Sequence, residues 1–237
     1  MSEMVAETER TTKTRFPLSR ERILTAAVGI ADQAGLLSLT MRGLAESLDV
    51  EAMSLYYHVA NKEALLDGVA QRVVEEINEA VSEHDPATGP EDWKQVTRIR
   101  ILTARSVMLR HKWAPALLES RSATNPAVLR YFHGLLEVFR VGGISYDLAH
   151  HALHALGSRA LGFSQELFDP APGSDDEELS SEMMEKMATE LPLLVEMLAE
   201  ITHEGPETTI GWCDDQIEFE FGLDLILDGL DRRRQIV

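Results

Sequence analysis

Apolar residues recur three or four positions apart through most of the chain, and no stretch alternates apolar and polar residues between hairpin turns. The expected elements are therefore helices. Ser19 stands before the stripe Ile23, Ala27, Ile30 and Ala34, which Gly35 closes as a C-terminal cap. Thr40 can cap a short second helix through Leu48, the turn Asp49-Val50 follows, and a third helix is predicted from about Glu51 to His58. Asn61 then caps a long helix towards Val81, with Glu63 in its first turn. The stretch Glu83–Pro90 breaks it and is the predicted domain boundary. Further helices are expected at about Glu91–His111, Ala114–Ser120, from the cap Asn125-Pro126 to Gly142-Gly143, and from the cap Ser145 to about Phe168. An acidic loop from Asp169, a Met-rich helix interrupted at Pro192, and a last helix from about Cys213 to Arg234 complete an all-α chain of roughly ten helices. Three parts are anticipated: an arm (1–18), a head with its connecting helix (19–82) and a helical body (91–237).

Within the head, Leu44, Ala45, Leu48, Val50 and Leu55 have the spacing of two short helices crossing steeply, with Ala45 small enough for close approach. Such a pair cannot be stable alone, so the first stripe and Leu65, Leu66 and Val69 must complete its core. The product is a helix-turn-helix whose third helix is partly exposed. That helix carries Ala52, Met53, Ser54, Tyr56, Tyr57 and His58, which are short, aromatic or hydrogen-bonding and suit a major groove. Lys62, in the first turn of the next helix, sits with free amides where a phosphate would bind. The alternative is that Tyr56, Tyr57 and His58 only pack or cap a helical bundle.

Charge changes this picture in one way. The chain of 237 residues has a net charge of −18, which argues against binding a polyanion. Residues 10–62, however, hold seven Lys/Arg against five acids, so an acidic body carries a mildly basic head, and the Arg10-Lys13-Arg15 arm can add sequence-independent attraction. The polar N-terminus has no apolar run of a signal peptide, and no segment approaches the roughly 18 apolar residues of a membrane helix. One cysteine, Cys213, cannot make an internal disulfide. A cytoplasmic protein is expected.

Residues 19–70 resemble the DNA-binding domain of the TetR repressor family. The resemblance rests on the LT-x-R-x-LA-x-x-L segment (Leu39 to Leu48), the LYYHV run (Leu55 to Val59) and the NKEALL run (Asn61 to Leu66). It implies DNA contacts from Thr40, Arg42, Ala52, Met53, Ser54, Tyr56, Tyr57, His58 and Lys62. Asp49 departs from the family's usual turn glycine, although Asp tolerates the left-handed conformation. Ala52-Met53 replaces more polar residues, which leaves the operator sequence unread.

Less sharply, DWKQVTRIRILTARSVMLRH, the helix from Asn125 to Gly143 and FEFGLDLILDGLDRR resemble the tetracycline-repressor-type C-terminal domain, which binds ligand and dimerises. The last helix is apolar around much of its circumference (Ile217, Phe221, Leu223, Leu225, Ile226, Leu227, Leu230), too wide a stripe for one partner. It is expected to face both its own domain and a second subunit, with Gly222 and Gly229 permitting close approach. Met108, His111, Trp113, His133 and Phe139 are the candidate ligand-pocket residues, core or rim positions being the alternative. No metal or cofactor is expected: the family's metal-contacting histidine aligns near Leu117 or Leu118, and His150, His151 and His154 read as surface or interface histidines. No nucleophile elbow, phosphate loop or zinc motif points to an enzyme. The expectation is a homodimer that binds an operator on double-stranded DNA and is released by a small-molecule effector. A helical scaffold without DNA binding is the alternative.

Overall fold

The computed structural model describes residues 17–121, 125–162, 181–200 and 215–235. Among them lie eleven α-helices, one 3-10 turn at Leu36–Ser38 and no strand. The helices are α1 (Arg20–Ala34), α2 (Met41–Ser47), α3 (Ala52–Leu55), α4 (Lys62–Ser82), α5 (Trp93–Arg110), α6 (Ala114–Glu119), α7 (Pro126–Val141), α8 (Tyr146–Gly162), α9 (Ser181–Glu190), α10 (Pro192–Glu200) and α11 (Asp215–Arg234). Pro192 divides the Met-rich segment in two, so the helices number one more than the pattern suggested. The acidic loop, Cys213, the predicted end of α8 near Phe168 and residues 1–16 of the arm lie outside the described residues.

Side-chain caps set five of the helix starts. Ser19 accepts from the Arg22 amide at 3.2 Å, Thr40 from Gly43 at 3.0 Å and Asn61 from Ala64 at 2.8 Å. Asn125 accepts from Ala127 at 2.9 Å and Ser145 from Leu148 at 3.2 Å. Each satisfies an amide that the helix cannot. Gly35, at φ 79°, closes α1 by donating to the Ala31 carbonyl at 2.9 Å. Asp49 adopts φ 55°, a left-handed conformation in which it makes the turn of the α2–α3 pair. α3 is shorter than expected: after Leu55 the chain closes as turns, with the His58 amide donating to the Leu55 carbonyl.

Two compact units form, one of residues 17–75 with 110–121 and one of residues 76–109 with 125–235. The first has a core of Ile23, Leu24, Ala27, Leu39, Leu44, Leu55, Leu65, Val69 and Leu117. The buried stripe of α1 therefore runs through Leu24 and Ala31, while Ile30 is only partly buried and Ala34 is exposed. The division between the compact units falls within α4, and α6 belongs with the head because Leu117 enters the head's core, 2% exposed. The second unit packs Trp93, Ile101, Leu135, Val138, Phe139, Ile144, Ala152, Leu156, Phe219, Leu223 and Leu227 around a separate core. Among the described residues no helix is long and apolar enough to cross a membrane.

Candidate nucleic-acid interface

The first unit presents its polar and aromatic residues outward because α3 has a single buried anchor. Leu55 is 0% exposed, and Val59 follows it into the core. With that side fixed, Met53 and Tyr57 are turned out, 71% and 89% exposed, and Tyr56 and His58 are exposed beside them. Ala52 and Ser54 are partly buried at the flanks. Exposing a methionine and two tyrosines on one short segment removes apolar surface from no water, so packing gives no reason for them to be there. Their exposure speaks against core packing for Tyr56, Tyr57 and His58, while the Tyr56 and His58 amides do close the end of α3 on the Met53 and Leu55 carbonyls.

The remaining candidates frame that segment. Thr40 is exposed, although its hydroxyl is committed to capping α2. Arg42 pairs with Glu46 at 3.0 Å, both side chains well exposed, an association weak enough to yield to a phosphate. Lys62 is exposed at the start of α4, whose first turn is capped by Asn61.

A second set of contacts holds residues 110–121 in the same unit. One carboxylate oxygen of Asp32 on α1 accepts from His111 Nδ1 at 2.8 Å and from Trp113 Nε1 at 2.7 Å. Arg121 donates to Glu63 at 2.6 Å and to Asp67 at 3.2 Å, both on α4, and the bond to Glu63 raises the Arg121 pKa. His111 and Trp113 thus have structural partners in the head that the sequence reading did not assign. Their separation in sequence from Asp32, about eighty residues, left no local signal.

Two family models cover most of the chain. One, described as bacterial regulatory proteins of the tetR family, matches residues 23–69, and one described as the tetracyclin repressor-like C-terminal domain matches residues 85–234. The chain belongs to the TetR family. Its relatives include the class C tetracycline repressor of Escherichia coli, 28% identical over 92% of each chain. Among solved structures, apo ActR of Streptomyces coelicolor has a TM-score of 0.71 at 26% identity, covering 93% of this chain and 98% of that one. ActR in complex with actinorhodin has a TM-score of 0.67 at 27% identity, covering 91% and 97%. This TetR-family protein is accordingly a ligand-responsive, DNA-binding transcriptional regulator.

The five pocket candidates of this regulator are divided between the two units. His111 and Trp113 belong to the first unit, as above. In the second, Phe139 is fully buried, edge-on to Trp93 with ring centroids 6.3 Å apart. His133 is exposed and lies 3.5 Å from Glu137, and Met108 is partly buried. α11 divides its wide apolar surface in two. Phe219, Leu223, Leu227 and Leu230 enter the core, whereas Ile217, Phe221 and Leu225, spaced four apart, are 57%, 62% and 58% exposed, with Gly229 exposed on the next turn. Gly222 is partly buried. On α8, His150 stacks edge-on against His154, their centroids 4.7 Å apart, and His151 is exposed beside them. Among the described residues no group of three or more His, Cys, Asp or Glu is placed to hold a metal ion.

Proposed function

We propose that the protein is a cytoplasmic homodimeric repressor, not an enzyme, that grips an operator through Thr40, Arg42, Ala52, Met53, Ser54, Tyr56, Tyr57, His58 and Lys62 and is released by a small-molecule effector. The observation that carries this reading is the outward display of Met53, Tyr56, Tyr57 and His58 around the buried Leu55. Ala52 and Met53 would meet thymine methyls, Ser54 a base edge or phosphate, and the tyrosine hydroxyls and Lys62 the phosphates. Two such readers reach successive major grooves when held about 34–36 Å apart, which needs a second subunit. The stripe Ile217, Phe221 and Leu225 is the face we assign to it, with α8 alongside in a four-helix bundle.

Release by an effector requires that ligand in the body alter the spacing of the heads. Three stretches of chain pass between the units, at residues 75–76, 109–110 and 121–122. In the head they end on Val73 and Val74 of α4, on His111 held by Asp32, and on Arg121 held by Glu63 and Asp67. An effector that favours the non-binding spacing by a few kcal/mol would then switch occupancy.

The test is a gel-retardation titration of the full chain against its own promoter region, paired with sedimentation of wild type and Phe221→Asp. The wild type should sediment as a dimer and shift the DNA with strong salt dependence. Phe221→Asp should sediment as a monomer and bind at least about tenfold more weakly. A wild type that is monomeric at micromolar concentration, or one with no affinity for the promoter, would support the scaffold reading instead.

A further inference from the structure

The cations of α5 fall on two faces with different fates. Towards α11, Lys94 bonds Asp228, Arg98 bonds Asp224 at 2.8 Å and Glu220, and Arg105 bonds Gln216 at 3.2 Å while lying 4.2 Å over the Phe219 ring. Towards α7, Arg100 has no such partner. Its Nε is buried without a hydrogen bond, and its guanidinium lies against Gly134, where a methyl group would collide with a terminal nitrogen. One turn earlier on the same face, Thr97 is 0% exposed and its hydroxyl is also without a partner.

Shortage of carboxylates does not explain this, since the chain has 40 acids to 22 Lys and Arg. The carboxylate that does act on it, Glu137, does so only through space, is well exposed and sits beside His133. Tyr131 reaches the Arg100 carbonyl at 3.5 Å, and burial pushes its phenol above the ordinary range, so it offers no negative charge. Desolvation pulls the Arg100 pKa below that of a free guanidinium. A guanidinium whose Nε is buried without a hydrogen bond, and whose carboxylate Glu137 acts only from a distance, next to a buried unbonded hydroxyl, costs stability to the domain that carries it. Leucine and valine would fit the same helix face without that penalty.

We propose that Arg100 and Thr97 form the polar end of the effector site and that the effector presents a carboxylate to them from an apolar body. The inference rests on the regulator reading above and deepens it. The edge of a guanidinium, Nε with its neighbouring Nη, matches the two oxygens of a carboxylate, and the Thr97 hydroxyl can donate a further bond. One cation calls for one negative charge, which favours a carboxylate over a phosphate dianion. The apolar remainder is called for by the core that begins at the next residue on each helix, Ile101 after Arg100 on α5 and Leu135 after Gly134 on α7, each 2% exposed. Gly134 opposite leaves the guanidinium room that any side chain there would take.

Thermal unfolding of the full chain tests this with benzoate and 1-naphthoate, their neutral amides, and inorganic phosphate at matched ionic strength. At least one acid should raise the Tm of the wild type, while the amides and phosphate leave it unchanged. Arg100→Met should abolish the response to the acid, weakening its binding on the order of 10- to 100-fold, and Thr97→Val should weaken it less. Without any additive, Arg100→Met and Thr97→Val should each unfold at a higher temperature than wild type. The proposal is overturned if Arg100→Met is less stable than wild type without additive, which would reveal a partner within the chain. It is equally overturned if an amide or phosphate matches the acids, or if neither acid has any effect. Promoter binding by the same samples is read separately: retention by wild type and Arg100→Met upholds the regulator reading whatever the acids do, and its absence in wild type removes that reading itself.

Discussion

The two units treat their hydrogen-bonding groups in opposite ways. In the head, Tyr57, His58 and Lys62 stand exposed and make no side-chain hydrogen bond or ion pair among the described residues, and they all do so on one side of a small closed core. In the body, Lys94, Arg98 and Arg105 of α5 are each claimed by α11, and Arg100 with Thr97 is the buried exception. Unclaimed groups at a surface are at ease in water and mark where a large polar partner can land. Unclaimed groups in an interior are not at ease; the Arg121 Nε of the head is one too, but only Arg100 and Thr97 stand as a pair one turn apart, which is where we place a small partner.

If claimed groups stabilise and unclaimed ones recognise, removing a claimed acceptor should have the largest effect on folding. Asp32→Ala leaves buried His111 and the Trp113 indole without their shared oxygen. The expected loss is about 1–3 kcal/mol, read as a lower urea midpoint at unchanged slope. Trp113 fluorescence should report it directly, through increased exposure to a soluble quencher. An unchanged midpoint would show that Leu117 and the Arg121 bonds to Glu63 and Asp67 hold residues 110–121 to the head without Asp32.

The exposed face of the head around Leu55 was legible because its information is local. The caps Ser19, Thr40 and Asn61, the left-handed Asp49 and the alternation of buried Leu55 and Val59 with their exposed neighbours all depend on residues within a turn or two. The same holds for Asn125 and Ser145 in the body. What escaped depends on residues far apart in sequence. His111 and Trp113 suit a ligand pocket as well as they suit a bond to Asp32, and only the tertiary fold decides. α11 is apolar nearly all round, so its sequence could not say that Phe219, Leu223 and Leu227 go inward while Phe221 and Leu225 stay out. Nothing local distinguishes Arg100 from the other cations of α5; the approach of Gly134 on α7 does.

An unclaimed group should show the converse behaviour. Lys62→Ala should weaken binding to all DNA sequences by about the same factor and lower the slope of log affinity against log salt by about one. The stability of the protein should change by no more than about 0.5 kcal/mol, since the side chain is exposed and unpaired. Ser54 or Met53 substitutions should instead redistribute affinity among sequences at constant salt slope. A Lys62→Ala protein with unaltered salt slope would mean that this lysine does not touch phosphate.

The smallest effect belongs to a group that is claimed yet exposed. Asp228 is held below the ordinary carboxylate range by its hydrogen bond from Lys94, and then by the charge of that lysine. A carboxyl whose folded pKa is depressed adds stability above its unfolded value of about 3.9 and loses it as pH falls through the lower folded value. Asp228→Asn should therefore lower the Tm slightly at pH 7 and by the same amount at pH 5. The gap to wild type should begin to close as pH falls through about 3.9 and vanish only below the lowered folded value, where both proteins carry a neutral side chain at this position. High salt should narrow the gap at neutral pH too, because the pair lies at the surface. A difference that persisted into acid would mean that Asp228 acts through its shape and hydrogen bonding rather than its charge, and the contrast between the paired face of α5 and the bare one at Arg100 would then not be electrostatic.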